Sequence, residues 1–173
     1  MKISTIMKFA ALSAALVVGA CTTKQQAASA PPPPPPPMAA APVRQAPGIL
    51  PGSLQDFKVN VGDTVHFAYN EYNVQDQDKG TLQKQASWLN RYPSVQITVE
   101  GHADERGTRE YNLALGARRA NAVKEFLVSL GVSTSRLQTV SYGKERPICT
   151  ESNEDCWAQN RRGVSTITSG ASS

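Results

Sequence analysis

A small two-layer α/β domain is the fold this sequence predicts, and three observations carry the prediction. Short runs alternate with a period of two at Thr64–Tyr69, Val95–Val99, Leu137–Tyr142 and Val164–Thr168. Between the first three lie longer runs whose apolar residues recur three and four apart, as on one face of a helix. Cap and stop residues (Thr108, Pro93 and Gly131) fall at the ends of those longer runs. Strands that alternate with helices pack as a helix layer on a sheet, in the α/β or α+β class.

The elements follow in order. Thr64-Val-His-Phe-Ala-Tyr69 is rich in β formers and reads as a strand. Asp76 or Asp78 can cap a helix that carries Leu82, Ala86 and Leu89 on one side, with Trp88 beside them. Pro93 stops it. Val95, Ile97 and Val99 alternate with Gln96, Thr98 and Glu100, giving a strand with one solvated face. Thr108 caps a long helix whose buried stripe is Leu113, Ala117, Ala120, Val123, Leu127 and Leu130, and Gly131 suits its end. Leu137–Tyr142 is a third strand, Glu154–Asn160 at most a short helix, and Val164–Thr168 a last strand before a frayed tail.

Two segments do not belong to the core. Lys2 and Lys8 precede a short apolar run, Phe9–Val18, which falls far below the ~20 residues a spanning helix needs. Residues 1–20 therefore read as a signal peptide. Val18-Gly-Ala-Cys21 resembles a bacterial lipobox, with Val18 in the usual leucine position. That resemblance implies cleavage before Cys21 and its acylation; ordinary cleavage with Cys21 a bystander is the alternative. Thr22, where an aspartate commonly marks inner-membrane lipoproteins, implies the outer membrane by the same resemblance. Residues 21–55 form a linker rich in Ala, Pro and Gln, with seven consecutive prolines at Pro31–Pro37. Such a run is extended at ~3.1 Å per residue, which suits a stiff spacer better than a ligand for an SH3-like groove. The folded domain is 56–168, with 169–173 as a disordered tail.

The formal charge of +4 misleads. From Asp56 onward 14 Lys or Arg balance 14 Asp or Glu, and the excess is Lys2, Lys8, Lys24 and Arg44. A neutral domain lacks the footprint of a nucleic-acid binder. Setting Cys21 aside leaves Cys149 and Cys156, for which a disulfide is the default in an oxidising compartment. A lone Cys-x6-Cys without a nearby histidine is not a zinc spacing, and no cofactor is implied.

The most informative stretch runs from Val99 to Val123. A strand ends, the polar loop Gly-His-Ala-Asp-Glu-Arg-Gly follows, and the long helix opens. Asp104 lies in the loop. Asn112 and Arg119, seven apart, share one helix face. A carboxylate takes an ammonium and a guanidinium forks onto a carboxylate, so the pair suits a zwitterion. This stretch resembles the peptidoglycan-binding motif of OmpA-like C-terminal domains. Val140-Ser-Tyr-Gly-Lys-Glu-Arg-Pro147 and Asn160-Arg-Arg162 extend the likeness over Asp56–Thr168.

The resemblance implies a βαβαβ(α)β fold with helices packed on one face of a mixed sheet. It implies that Asp104 binds the ammonium of diaminopimelate and Arg119 its carboxylate, with Asn112 on the peptide stem. An internal Asp104–Arg119 ion pair is the structural alternative. Possible further contacts are Thr108 at the helix start, Arg161, and His102, which is better read as bracing its turn through hydrogen bonds. Arg161 also suits a structural ion pair. Where family members carry an aspartate facing the site this chain has Ala68, which removes one acidic contact. Trp88 and Trp157 read as packing residues rather than sugar platforms. By the same resemblance the chain is a lipid-anchored outer-membrane protein facing the periplasm, tethering membrane to wall with TolB and other Tol proteins at division. A wall anchor of another envelope machine is the alternative. A hydrolase is disfavoured: the chain has two histidines, His66 and His102, and Glu100 and Glu105 sit in polar sequence.

Overall fold

The computed structural model describes residues 48–172. The expected signal peptide, the acylated Cys21 and the proline run lie outside the described residues. Among those described, no helix is long and apolar enough to cross a membrane.

The chain enters through a helical turn, α1 (Leu54–Asp56), that widens into a π-helical turn over Phe57–Val61. No apolar periodicity marks this segment, yet Phe57 is completely buried and tilts against Trp88 at 4.9 Å between ring centroids. Asp56 knots this entry together. Its carboxylate accepts from Trp88 Nε1 (2.8 Å), Asn60 Nδ2 (2.8 Å) and the Gly52 N–H (2.9 Å).

Then follow β1 (Thr64–His66), α2 (Asp76–Arg91), β2 (Gln96–His102), α3 (Arg109–Ser129), β3 (Leu137–Gly143), α4 (Glu154–Asn160) and β4 (Arg162–Ser169). The sheet order is β1-β4-β2-β3, with β2 and β3 parallel and the other neighbours antiparallel. This is the mixed α/β sheet the alternation of elements predicts. β1 is shorter than its sequence run, since the chain leaves the sheet after His66 and crosses toward α3 as a loop. The segment past Thr168, expected to fray, is tied down. β4 continues to Ser169, Ser94 Oγ donates to Gly170 O (3.1 Å), and Ser172 N–H donates to Gly52 O (3.0 Å).

One core joins the helices to the sheet. Leu82, Ala86 and Leu89 of α2 meet Ala120, Val123 and Leu127 of α3 over Val65, Ile97, Val99 and Leu137. Neither Asp76 nor Asp78 caps α2. Gln75 holds the N-cap position without a side-chain bond, and the Asp78 carboxylate accepts the His66 N–H instead (3.3 Å). Thr108 does cap α3, accepting the Tyr111 N–H at 3.2 Å. The α3 stripe is buried as expected from Ala120 to Leu127, but its first half turns differently. Leu113 and Ala117 are half-covered, while Asn112, Leu115, Gly116 and Arg119 are buried. Polar residues take the inward face there because that end of α3 builds a site, not the core.

Two glycines let α3 lie directly on the sheet. A Cβ on Gly101 would fall onto the Gly116 carbonyl, and one on Gly116 would collide with Ser141 Oγ. The resulting contact brings the N-terminal half of α3 against the ends of β2 and β3.

Candidate functional site

The β1–α2 loop, the loop that follows β2 and the first half of α3 enclose a pocket of about 130 Å³. Tyr69, Asn70, Asp104, Arg106, Gly107, Tyr111, Asn112, Leu115 and Arg119 line it. The three residues the sequence singled out, Asp104, Asn112 and Arg119, are therefore neighbours.

Arg119 is completely buried. Its guanidinium donates from Nε to Glu71 O (2.8 Å), from Nη1 to His102 O (2.7 Å) and from Nη2 to Ala68 O (3.1 Å). It makes no ion pair among the described residues, so the alternative reading, an internal bridge to Asp104, is not realised. Burial lowers its pKa to about 10, although the Asp104 charge nearby favours the cation. A guanidinium carries five N–H donors, so two remain beyond these three bonds. Three backbone carbonyls from two segments thus fix a cation at the pocket wall.

Asp104 is also buried, and its partners are Arg106 and Arg161. Oδ1 accepts from the Arg106 N–H (3.1 Å) and Nε (3.1 Å), while Oδ2 accepts from Arg106 Nη2 (2.6 Å) and Arg161 Nη1 (3.4 Å). Burial alone would raise the carboxyl's pKa, but these bonds and the Arg106 charge hold it below the usual range. Arg106 lies between two rings, 4.0 Å from the Trp157 centroid and 4.2 Å from that of Tyr69. The sequence reading passed over Arg106. The signal was there: an Asp followed two residues later by a loop residue whose N–H it can accept is an Asx turn.

The remaining candidates divide. Asn112 Nδ2 donates to Arg106 O (2.8 Å) and Thr108 O (3.1 Å), which shapes the loop around Asp104. Thr108 spends its hydroxyl on the helix cap. Arg161 is nearly inaccessible and pinned by Phe67 O (3.0 Å) and Glu154 Oε1 (2.6 Å), the structural ion pair of the two readings. The expected bracing of the turn by the His102 side chain is not found. Neither ring nitrogen has a hydrogen-bond partner, and the Glu100 carboxylate, 3.5 Å from Nε2, makes no hydrogen bond to it. Burial, then the charges of Arg162 and Arg146, lower its pKa to about 4, so the imidazole is neutral. What braces the turn is the His102 carbonyl, held by Arg119. Ala68 lines a neighbouring hollow with Arg161 and Gln75, and its carbonyl serves Arg119. Trp157, expected as packing, donates from Nε1 to Glu105 Oε1 (2.9 Å) while it stacks on Arg106.

Cys149 and Cys156 are joined, with Cα atoms 5.1 Å apart. The bridge fixes the start of α4, from which Glu154 and Trp157 reach Arg161 and Arg106. Among the described residues no group of three or more His, Cys, Asp or Glu side chains is placed to hold a metal ion.

A buried carboxylate and a buried guanidinium thus share one pocket, on a mixed sheet behind a loop-to-helix start. The OmpA family model matches residues 66–161, and the chain belongs to that family. Within it the chain is similar to a peptidoglycan-associated lipoprotein from Mesorhizobium japonicum, 58% identical over 71% of this chain and 73% of that one. The crystal structure of the peptidoglycan-associated lipoprotein from Burkholderia pseudomallei superposes with a TM-score of 0.60 at 44% identity, covering 61% of this chain and 90% of that one. The C-terminal domain of Helicobacter pylori MotB shares the fold, with a TM-score of 0.58 at 23% identity over 62% of this chain and 84% of that one. The Mesorhizobium japonicum and Burkholderia pseudomallei relatives are both named peptidoglycan-associated lipoproteins.

Proposed function

We propose that this protein binds peptidoglycan non-covalently by gripping the zwitterionic end of diaminopimelate in the stem peptide. Arg119 takes the ligand carboxylate, Asp104 the ammonium, and Asn112 holds the loop that presents Asp104. One observation carries the reading: a buried guanidinium at a pocket wall, without an ion-pair partner among the described residues and with two N–H groups beyond its backbone bonds. A buried cation without a carboxylate is costly unless a ligand supplies one. An ionised carboxylate in the same pocket makes the complement a zwitterion rather than a simple acid.

The name shared by the relatives supports the wall as the source of that ligand. The signal peptide and lipobox at Cys21 support a lipid anchor in the outer membrane with the domain in the periplasm. The proline run then spans the gap to the wall. Each charge-assisted contact contributes on the order of 1.5–3 kcal/mol, so single grips are weak and many copies act together. A partnership with TolB and other Tol proteins, and a part in drawing the membrane inward at division, belong to the same proposal and rest on the family resemblance.

The test is co-sedimentation of the full chain, in mild detergent, with purified sacculi. Wild type pellets. Asp104→Ala and Arg119→Lys lose at least nine-tenths of that retention while their circular dichroism stays that of the folded protein. Retention of both variants at the wild-type level would show that another surface binds the wall.

A further inference from the structure

Asp104, the residue assigned to the ligand ammonium, has no acceptor to spare in the free protein. A carboxylate offers about four lone-pair sites. All are in use: two on Oδ1 by the Arg106 N–H and Nε, and two on Oδ2 by Arg106 Nη2 and Arg161 Nη1. An incoming ammonium must displace one arginine. Arg161 cannot leave, because it is buried and held by Phe67 O and Glu154. Arg106 can. Its side chain is 30% exposed, and one of its flanking rings, Tyr69, is itself 61% exposed. A landing place exists as well, since the largely exposed Glu154 presents Oε2 3.8 Å from Arg106 Nη1.

We propose that Arg106 is a resident cation that occupies the ammonium seat on Asp104 in the free protein, leaves it toward Glu154 on binding, and so sets the site's specificity. This rests on the zwitterion reading of the pocket. The displaced fork is bidentate and charge-assisted, and a compact ammonium on Asp104 alone does not replace it. A ligand gains entry only when it also delivers a carboxylate to Arg119. Simple amines are thereby refused, while an amino acid end such as that of diaminopimelate is admitted. Discrimination of this kind comes from an internal competitor rather than from a tighter pocket.

The experiment is calorimetry on the full chain in mild detergent, with meso-diaminopimelate and with cadaverine, which has the ammonium but no carboxylate. Wild type binds diaminopimelate and gives no heat with cadaverine. Arg106→Gln binds diaminopimelate at least threefold more tightly and takes up cadaverine measurably. In parallel, the Arg106 Nε–H resonance of the wild type loses its protection from water exchange as diaminopimelate saturates the site. Weaker diaminopimelate binding by Arg106→Gln, or an Nε–H that stays protected at saturation, overturns the displacement and leaves the zwitterion reading standing. No diaminopimelate binding by wild type overturns the zwitterion reading itself.

Discussion

His102 makes stability depend on pH in a window where few other groups titrate. The imidazole is buried against the Tyr142 ring, with Glu100, Arg162 and Arg146 as its charged neighbours, and its pKa falls from 6.5 to about 4. Between those values the unfolded chain holds a proton that the folded one refuses. Stability therefore rises with pH across this range, and is lost as pH falls from 6.5 toward 4. Integrating the linkage from pH 7 to pH 5 gives a loss of about 1.8 kcal/mol from this one group. With a urea slope of roughly 1.5–2 kcal/mol/M, the unfolding midpoint drops by about 1 M. Asp56, Asp104 and Glu105 have lowered pKa values, so their contribution is lost only at more acid pH and leaves the window clear. His102→Phe keeps a ring, removes two unpartnered nitrogens and abolishes the slope. Urea titrations of both proteins at pH 7 and pH 5 measure it. If the variant loses as much stability as the wild type over that interval, His102 is not the group that refuses the proton.

Two further substitutions test the frame of the pocket. Arg119→Met strips donors from the carbonyls of Ala68, Glu71 and His102, of which Ala68 O keeps a second donor in the Glu71 N–H. A loss of about 3 kcal/mol is expected, read as a fall in Tm of roughly 10 °C by circular dichroism; a fall under 3 °C would mean these bonds carry no net stability. Gly116→Ala drives a methyl into Ser141 Oγ and toward Gly101 O at 2.8 Å, so α3 must lift from the sheet. About 2 kcal/mol of destabilisation is expected in urea, together with weaker diaminopimelate binding because Arg119 moves with the helix; unchanged values in both assays refute the close-contact argument.

Much of this arrangement could be read from residue order, and the reason is periodicity. Alternation in Val95–Val99 and the spacing of Leu82, Ala86 and Leu89 report on burial directly, because burial of one face is what selects those residues. The end of α2 before Pro93 and the cap at Thr108 follow from local chemistry and are legible for that reason, whereas the aspartate cap expected for α2 is not made. The first half of α3 was misread for the converse reason. There the inward face is polar, so an apolar stripe drawn backward from Ala120 points at Leu113 and Ala117, whereas burial falls on Asn112, Leu115, Gly116 and Arg119. The entry over Leu54–Val61 was invisible because its buried anchor is a lone aromatic, Phe57, held by a side-chain knot around Asp56.

Within the pocket the same division holds. Asp104 and Arg119 stand out as types at a spacing, but their partners depend on how loops cross, which spacing does not encode. The acid and the arginine look like a pair on paper. In the fold each has been given its own counterpart, backbone carbonyls for Arg119 and a second arginine for Asp104. Keeping the two charges apart has a physical consequence. Had they bridged each other, a ligand would have to break a buried ion pair from both sides before making any contact, and removing one partner of such a pair typically costs 3–5 kcal/mol. Held separately, the guanidinium is already positioned and only the partly exposed Arg106 has to move. On the zwitterion reading, the site is therefore preorganised at the end proposed for the carboxylate and adjustable at the end proposed for the ammonium.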